Sequence, residues 1–597
     1  MKILKTDHIS PFTKRLQMLL TCLTTSLLVA SERPNVILIM TDDQGYGDLS
    51  CHGHPYLRTP EIDLLHQESI RFTDFHVSSF CTPTRAAIMT GNYPAKTGAF
   101  RTTGGRSAML RKQKTVAELF AENGYITGML GKWHLGDNAP HRPQDRGFQY
   151  ALWHRCGGIG QASDYYGNNY YNDTYERVTP AIPHGEWEKA SGYCTDVWFR
   201  EAHDFIETHQ ETPFFLYLAL NAPHGPYIVP NKWAAPYRNN EDIPNANFLG
   251  MIANIDYNVG ILRDKLERLK LSDNTILIFM TDNGTSAGVK LDKHPLDGVR
   301  KTGYNAGMRG KKSSIYEGGG RVPCFIYWPD GNLMGGREIE TLTAHIDLVP
   351  TLADLCELRV DDRYNFDGIS WKPLLYGGDW SREAHVEHFH GGAYGRVSLS
   401  KPQEFSSVTT EKWRFITNYG KRELYDIELD PAQKNNVIHD NEEIVTQLQS
   451  VYNRYWEQVF PGVMEAPRID LGNMGENPTT LCSQDWFSPR KYPPYAISQI
   501  TKLPKVNYPW LVNVVSSGKY RFTLRQLPEL AEKVILGVKA GKVSINGVEK
   551  LIEVAPNSES IEIDLEIPFD GGHELWTTLV YEDGTESGAY FTTVEKL

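Results

Sequence analysis

Two pairs of residues in this chain have the chemistry to hold a hard cation: the adjacent carboxylates Asp42-Asp43 and the carboxylate–amide pair Asp282-Asn283. Neighbouring carboxylates taken into a protein interior lose hydration and repel each other, and a bound cation removes both costs. Asp42-Asp43 alone could equally face solvent or cap a helix. The second pair, placed like the first directly after an apolar run, shifts the reading. Three carboxylates and one amide oxygen form an all-oxygen ligand set, which suits Ca²⁺ or Mg²⁺ and not Zn²⁺.

Cations and proton carriers stand elsewhere. Cys81-Thr82-Pro83-Thr84-Arg85 sets an arginine four residues after a cysteine. Taken alone, that pentapeptide also describes a buried structural cysteine in a turn. Gly128-Met129-Leu130-Gly131-Lys132-Trp133-His134-Leu135-Gly136 brackets Lys132 and His134 with glycines that let backbone come close to a ligand. In an extended segment residues i and i+2 point the same way, so both side chains are expected to face one pocket. His224 lies between Pro223 and Pro226, which restrict its backbone. Lys312 follows Gly310 and precedes Gly318-Gly319-Gly320. Lysines and arginine neutralise an anion, and histidines carry protons near neutral pH.

These residues need a scaffold. Pro34–Met40 is a short apolar run rich in β-branched residues, followed by Thr41-Asp42-Asp43; Thr275–Met280 precedes Thr281-Asp282-Asn283; Phe214–Leu220 precedes Asn221 and His224. Such runs read as buried strands. Helical patterns fall between them, at 115–123 and at 249–270, the latter carrying Ile252, Ile255, Val259, Leu262 and Leu266 on one face. Strands alternating with helices imply an α/β domain with a mixed, mostly parallel sheet, and ligands bind beyond the carboxyl ends of such strands. Three runs that each end in polar residues therefore point to one site. We place this domain at 32–400. From 401 to 460 the short strands around Trp413 and Tyr425 and a helix over 441–457 predict a small antiparallel sheet with a helix. Residues 461–509, rich in Pro, Gly, Asn and Ser and without a sustained period, read as a linker. Residues 510–597 alternate at period two, as in Ile561-Glu562-Ile563-Asp564-Leu565, and predict a C-terminal β-sandwich.

Residues 1–31 carry Lys2, Lys5, Lys14 and Arg15 ahead of an apolar run from Leu16 to Val29, with small residues after it. This is the layout of a cleaved signal peptide, and the run is short for a membrane span. An exported, periplasmic or secreted protein without stable membrane insertion is expected. Removing the leader takes away four cationic side chains and one carboxylate, and the net charge moves from −12 to −15. So acidic a chain is not suited to nucleic acid or anionic membranes, and any anionic substrate needs a local cationic pocket. None of the eight cysteines forms a Cys-x-x-Cys pair, so neither a zinc site nor a thioredoxin-like site is implied.

The motifs around Asp42, Cys81, Lys132, His224, Asp282 and Lys312, in this order, together resemble the sulfatase family of the alkaline phosphatase superfamily. The resemblance covers residues 34 to about 440. It is strongest towards bacterial arylsulfatase-type carbohydrate sulfatases, with galactosamine-6-sulfatases more distant. It implies that Cys81 is converted to formylglycine by a formylglycine-generating or anaerobic sulfatase-maturing enzyme. It implies one Ca²⁺ held by Asp42, Asp43, residue 81, Asp282 and Asn283. It further implies that Arg85 and Lys132 orient the formylglycine hydrate, that Lys132, Lys312 and His224 contact the sulfate, that His224 protonates the departing alcohol, and that His134 accepts the proton by which sulfate is finally expelled. A serine could not complete that last step, having no second hydroxyl. Lys311 departs from the family pattern, which usually has a small residue there; the distance to Glu317-Gly318-Gly319 selects Lys312.

The resemblance leaves alternatives open: a phosphodiesterase or phosphonate monoester hydrolase of the same superfamily, or a catalytically inactive protein that binds sulfated glycans. The expected substrate is a sulfated carbohydrate, with exo action preferred because a deep sulfate pocket fits a chain end or a small sugar best. The aromatic segment Trp153–Tyr171 offers ring faces for sugar stacking, or packs a long loop.

Overall fold

The computed structural model describes residues 33–291, 300–388, 405–488, 492–531, 533, 535–555 and 558–597. The leader expected at 1–31 lies outside the described residues. A ten-stranded sheet forms the centre of the catalytic part. Five of its strands run parallel side by side, in the order Thr275–Thr281, Asn35–Thr41, Phe214–Ala219, Ile126–Lys132 and Tyr150–His154. Short antiparallel or edge strands complete it on both sides, among them Cys324–Tyr327 beside Thr275–Thr281 and the hairpin Thr174–Thr179/Ile182–Lys189.

The central strands are apolar throughout because both faces of the sheet are covered. Val36, Leu38 and Met40 point into one core with the helices Cys81–Thr90, Val116–Glu122 and Leu348–Leu355. Ile37 and Ile39 point into the other, against Cys194–His209 and Ala246–Arg268. The expected mixed, mostly parallel α/β architecture is the one observed, and the three apolar runs are neighbouring parallel strands whose carboxyl ends open at one edge. No described helix is long and apolar enough to cross a membrane.

A four-stranded antiparallel sheet follows, built from His385–His388, Phe405–Thr409, Trp413–Asn418 and Lys421–Asp426, with the helix Glu442–Met464 packed on it. Its first strand precedes residue 400, so the sheet starts earlier than the sequence change suggests. This small sheet also holds part of the site. The buried Arg414 forms an ion pair with Glu317 at 2.9 Å and donates to the Ile315 carbonyl at 2.6 and 3.0 Å, which fixes the loop that carries Lys312.

Residues 461–509 are not a free linker. Ile469–Leu471 pairs in parallel with Trp510–Val514, and Thr479–Cys482 pairs with Phe591–Lys596. The segment also docks on the catalytic part: Arg111 pairs with Asp470 at 2.6 Å, Asn138 donates to Glu476 at 3.0 Å, and the Ala162 amide donates to the Tyr495 carbonyl at 2.9 Å. Strands of three and four residues are too short to display a period, and their partners lie far along the chain.

The C-terminal region consists of two mostly antiparallel sheets facing each other across a common core of Trp510, Val512, Val543 and Leu575 on one side and Tyr520, Phe522, Ile563 and Val594 on the other. Phe522 is fully buried on a strand with two ladder partners. Phe522→Ala is expected to cost about 3–5 kcal/mol of stability, as truncation of a buried aromatic ring does. Urea unfolding checks this, and an unchanged midpoint would mean that this core does not hold the sheets together.

Candidate active site

Backbone geometry brings the chemical residues together. Asp42 and Asp43 leave the strand Asn35–Thr41, and Asp282 and Asn283 leave its parallel neighbour, in register with each other. The Asp43 amide donates to Asp282 Oδ1 at 3.0 Å, and Asn283 Nδ2 donates to Asp43 Oδ1 at 3.0 Å. Asp43 adopts φ 71°, which turns the chain across the sheet edge. All four residues are buried, with exposures of 0–2 %.

Cys81 occupies the first turn of the fully buried helix Cys81–Thr90, where Pro83 is tolerated because first-turn amides lack helical partners. Arg85 follows one turn later on the same face. Its guanidinium donates to Asp282 Oδ2 at 2.8 and 3.2 Å and to the Lys132 carbonyl at 3.0 Å, and its charge lies 3.9 Å from Asp42. Lys132, at the end of its strand, binds Asp42 Oδ2 at 2.6 Å. Lys312 pairs with Asp43. Lys311 instead donates to the Ser286 carbonyl at 2.9 Å and does not line the cavity, so Lys312 is the lysine placed at the site.

The segment after Lys132 is not extended as the sequence reading assumed. Gly131 (φ 106°) and His134 (φ 57°) are both in the left-handed region, and the turn they make, not an i, i+2 alternation, returns His134 to the site. At Gly131 a side chain is excluded outright: a Cβ would lie 2.0 Å from the Ala219 carbonyl oxygen of the adjacent strand. His224 is held between the cis peptides Ala222-Pro223 and Gly225-Pro226, with Nε2 3.8 Å from Asp43 Oδ2.

A cavity of about 460 Å³ joins these elements, lined by Phe80, Cys81, His134, His224 and Lys312, with Thr102, Thr103, Gly157 and Gln161. Tyr492, Tyr495 and Gln499 line it as well. Those three come from the segment read as a linker, and sequence reasoning missed them. The pair of tyrosines around Pro493-Pro494 was the only local signal, and nothing near it in sequence indicates a partner.

Histidine tautomers follow from their partners, because a carbonyl oxygen only accepts. His134 Nε2 lies 3.1 Å from the Thr102 carbonyl and so carries the proton, leaving a lone pair on the buried Nδ1, which has no hydrogen-bond partner. His224 Nδ1 lies 2.6 Å from the Gly225 carbonyl, so its lone pair in the neutral ring is on Nε2, on the side of Asp43. Burial lowers both imidazoles; the charges of Lys312 and Lys132 add to this for His224, which Asp43 opposes, and it stands at about 4. Burial pushes Asp43 up, but Lys312, His224 and Lys132 outweigh it and hold the carboxyl well below its usual range. Burial and the Asp42 charge push Asp282 up to about 6, against Arg85 and Lys132. Burial raises the Cys81 thiol, so the unmodified residue is protonated and a poor nucleophile at neutral pH.

The oxygen cluster suits a hard cation. Asp42 Oδ1 and Asn283 Oδ1 are buried acceptors without a hydrogen-bond donor. One ligand atom each of Asp42, Cys81 and Asp282 lie within 4.8 Å of one another. A carboxylate oxygen and an amide oxygen left without donors are satisfied by a cation, and all-oxygen donors fit Ca²⁺ or Mg²⁺.

Gly284 sets how closely the two halves of the site approach. Its amide donates to the Gly319 carbonyl at 2.8 Å, and a Cβ at 284 would lie 1.8 Å from the Gly318 carbonyl oxygen. Gly284→Ala must push Asn283 away from the loop that carries Lys312. A displacement near 1 Å is expected to lower kcat/KM by about 10²-fold. Steady-state kinetics check this, and an unchanged kcat/KM would show that the contact does not position the site.

The sequence model of the family described as Sulfatase matches residues 34–358, and one described as N-sulphoglucosamine sulphohydrolase, C-terminal, matches residues 309–458. Human arylsulfatase A is 33% identical over 452 residues, covering 69% of this chain and 84% of that protein. The N-acetylgalactosamine-6-O-sulfatase of Bacteroides thetaiotaomicron is 28% identical over 493 residues, covering 70% of this chain and 93% of that protein. Among solved structures, Ps i-CgsB in complex with k-i-k-neocarrahexaose aligns with a TM-score of 0.61 at 28% identity, covering 72% of this chain and 94% of the other.

Proposed function

Because this chain belongs to the sulfatase family, we propose that it removes sulfate from a sulfated carbohydrate, acting at a chain end or on a small sugar, with residue 81 as formylglycine and one Ca²⁺. Hydrolysis of carbohydrate sulfate esters is the activity its relatives support. The observation that carries the finer reading is the meeting of Cys81, Lys312 and two histidines of complementary tautomer at one cavity, backed by the buried Arg85 and Lys132 and by buried oxygens lacking donors.

Asp42, Asp43, Asp282, the Asn283 amide oxygen and residue 81 would hold the Ca²⁺, which when bound withdraws charge from a sulfate oxygen. As formylglycine, residue 81 would supply a hydrated aldehyde as the nucleophile, a role unsuited to a thiol that burial keeps protonated. The remaining work falls to this chain's own side chains. Lys132 and Lys312, now paired with Asp42 and Asp43, reach a sulfate by reorienting flexible stems, and they neutralise its charge in a site where water screens weakly. Arg85, tied to Asp282 and to the Lys132 carbonyl, holds the helix that presents residue 81. His224 donates a proton to the leaving alcohol from Nε2 and acts only as imidazolium, because its neutral form has a lone pair there. Negative charge from the bound ester and from Asp43 favours that imidazolium. His134, with its lone pair on Nδ1, is set up to accept a proton. Tyr492, Tyr495 and Gln499 add a wall to the cavity, and a walled cavity suits a chain end better than the interior of a polymer.

The competing phosphodiesterase reading is separated by turnover of an aryl sulfate and an aryl phosphodiester with the same leaving group, on protein whose residue 81 has been checked by mass spectrometry. We expect kcat/KM for the sulfate to be higher by about 10²-fold or more, the scale of transition-state discrimination by a few charged contacts. A preference of that size for the phosphodiester would overturn the assignment.

A further inference from the structure

The cations of the site divide into two groups. Arg85, Lys132 and Lys312 stand against Asp282, Asp42 and Asp43, three positive charges facing three negative. Arg101 and Arg106, on the loop that contributes Thr102 and Thr103 to the cavity, are 6% and 3% exposed, and among the described residues neither has a carboxylate within 4.0 Å. Arg101 donates to the Ser488 carbonyl at 3.0 Å, and its buried Nε has no hydrogen-bond partner. Its guanidinium lies 5.6 Å from the ring centroid of Tyr492, which lines the cavity. Arg106 stands behind, 5.1 Å from the Phe100 ring and 5.5 Å from Phe487. Burying a cation without a counter-ion is strongly unfavourable, and a chain of net charge −12 has carboxylates in excess to supply one. Arg101 thus stands behind the Tyr492 ring of the cavity wall, with Arg106 on the same loop, and among the described residues no carboxylate balances either charge.

We propose that Arg101 and Tyr492 form a subsite for a second anionic group of the substrate, a carboxylate or a further sulfate borne near the ester that is cleaved. Tyr492 supplies the contact surface, and Arg101, supported by Arg106, supplies the charge. The inference deepens the proposed sulfatase reading and rests on it. It locates part of the selectivity beyond the segments that the family models match: those end at residue 458, whereas Tyr492, Tyr495 and Gln499 come after it. Hydrogen bonds from a guanidinium to backbone carbonyls also clamp the extension to the catalytic part, so the test must separate binding from clamping.

The test uses a sulfated disaccharide in three forms that differ only in the second group: none, a carboxylate, or a second sulfate. Wild-type kcat/KM is expected to be about 10- to 100-fold higher for at least one doubly anionic form, the scale of attraction to one cation that water screens weakly. The arm that shows the preference identifies the group. In Arg101→Gln the preference should fall to about 3-fold or less, mainly through KM, and Arg101→Lys should keep part of it. A clamp alone would lower Tm and leave the preference unchanged. Binding of the same disaccharides to the Cys81→Ala protein, followed by calorimetry, reads the preference without turnover. A binding preference in the Cys81→Ala protein, together with no sulfate release by the wild-type protein, would therefore sink the catalytic reading and keep the subsite. Equal kcat/KM and equal affinity for all three forms, or a preference that survives in Arg101→Gln, would overturn the subsite.

Discussion

Cys81→Ala should abolish sulfate release while leaving the protein folded. Cys81 is 3% exposed in the first turn of a helix whose remaining residues pack independently of its sulfur. Alanine keeps the helix, and the loss of one buried atom is expected to cost less than about 2 kcal/mol. The chemistry is affected far more, because the hydroxyls of Thr102, Thr103, Tyr492 and Tyr495 at the cavity lack the second hydroxyl of an aldehyde hydrate, while the two histidines are assigned to proton transfer and the cations to charge. Loss of a nucleophile from a preorganised site typically costs about 10⁴-fold or more in kcat. Sulfate release and a thermal melt, measured on the same preparation, check both halves. Turnover within about tenfold of wild type would mean that residue 81 is not the nucleophile.

Lys132→Ala should show the second-largest effect, and on stability as well as activity. Lys132 is fully buried, its amine binds Asp42 at 2.6 Å, and its carbonyl accepts from Arg85. Without the amine, Asp42 has one acceptor oxygen already lacking a donor and a second that loses its cation. Breaking a buried pair from one side typically costs about 3–5 kcal/mol. Removing a cation aimed at developing charge should lower kcat by about 10²–10³-fold. Added Ca²⁺ should recover part of the stability, because the bared oxygens of Asp42 belong to the ligand set, and little of the activity. A variant that is destabilised but fully active would make Lys132 a purely structural partner of Asp42.

The parts of the site visible in sequence are those where chemistry and backbone coincide. Asp42-Asp43 and Asp282-Asn283 follow apolar runs that must be buried strands, and parallel strands open at the same edge, so their meeting follows from topology. Cys81 and Arg85 are one helical turn apart, and the helix keeps that spacing on one face. Lys132 and His134 do not follow the extended alternation that the sequence suggests: a glycine-rich turn with positive φ at Gly131 and His134 brings His134 to the cavity, while Lys132 is buried against Asp42. What stayed hidden depends on contacts across hundreds of residues. Arg414 reaches Glu317 and Ile315 from another sheet and so positions Lys312. Tyr492 reaches the cavity from a segment whose strands are too short to show a period, and the composition that marks that segment as a loop does not reveal that it is tightly docked. Charge balance was likewise invisible: Arg101 and Arg106 are ordinary in composition and unusual in being buried with no carboxylate partner among the described residues.

The most direct test is release of free sulfate from a panel of defined sulfated oligosaccharides by protein with Ca²⁺ present and formylglycine at residue 81 verified by mass spectrometry. We predict one sulfate released per desulfated sugar, from terminal residues of at least one member of the panel and not from the interior of intact polymer. Verified, metal-loaded protein that releases no sulfate from any carbohydrate ester would contradict the assignment.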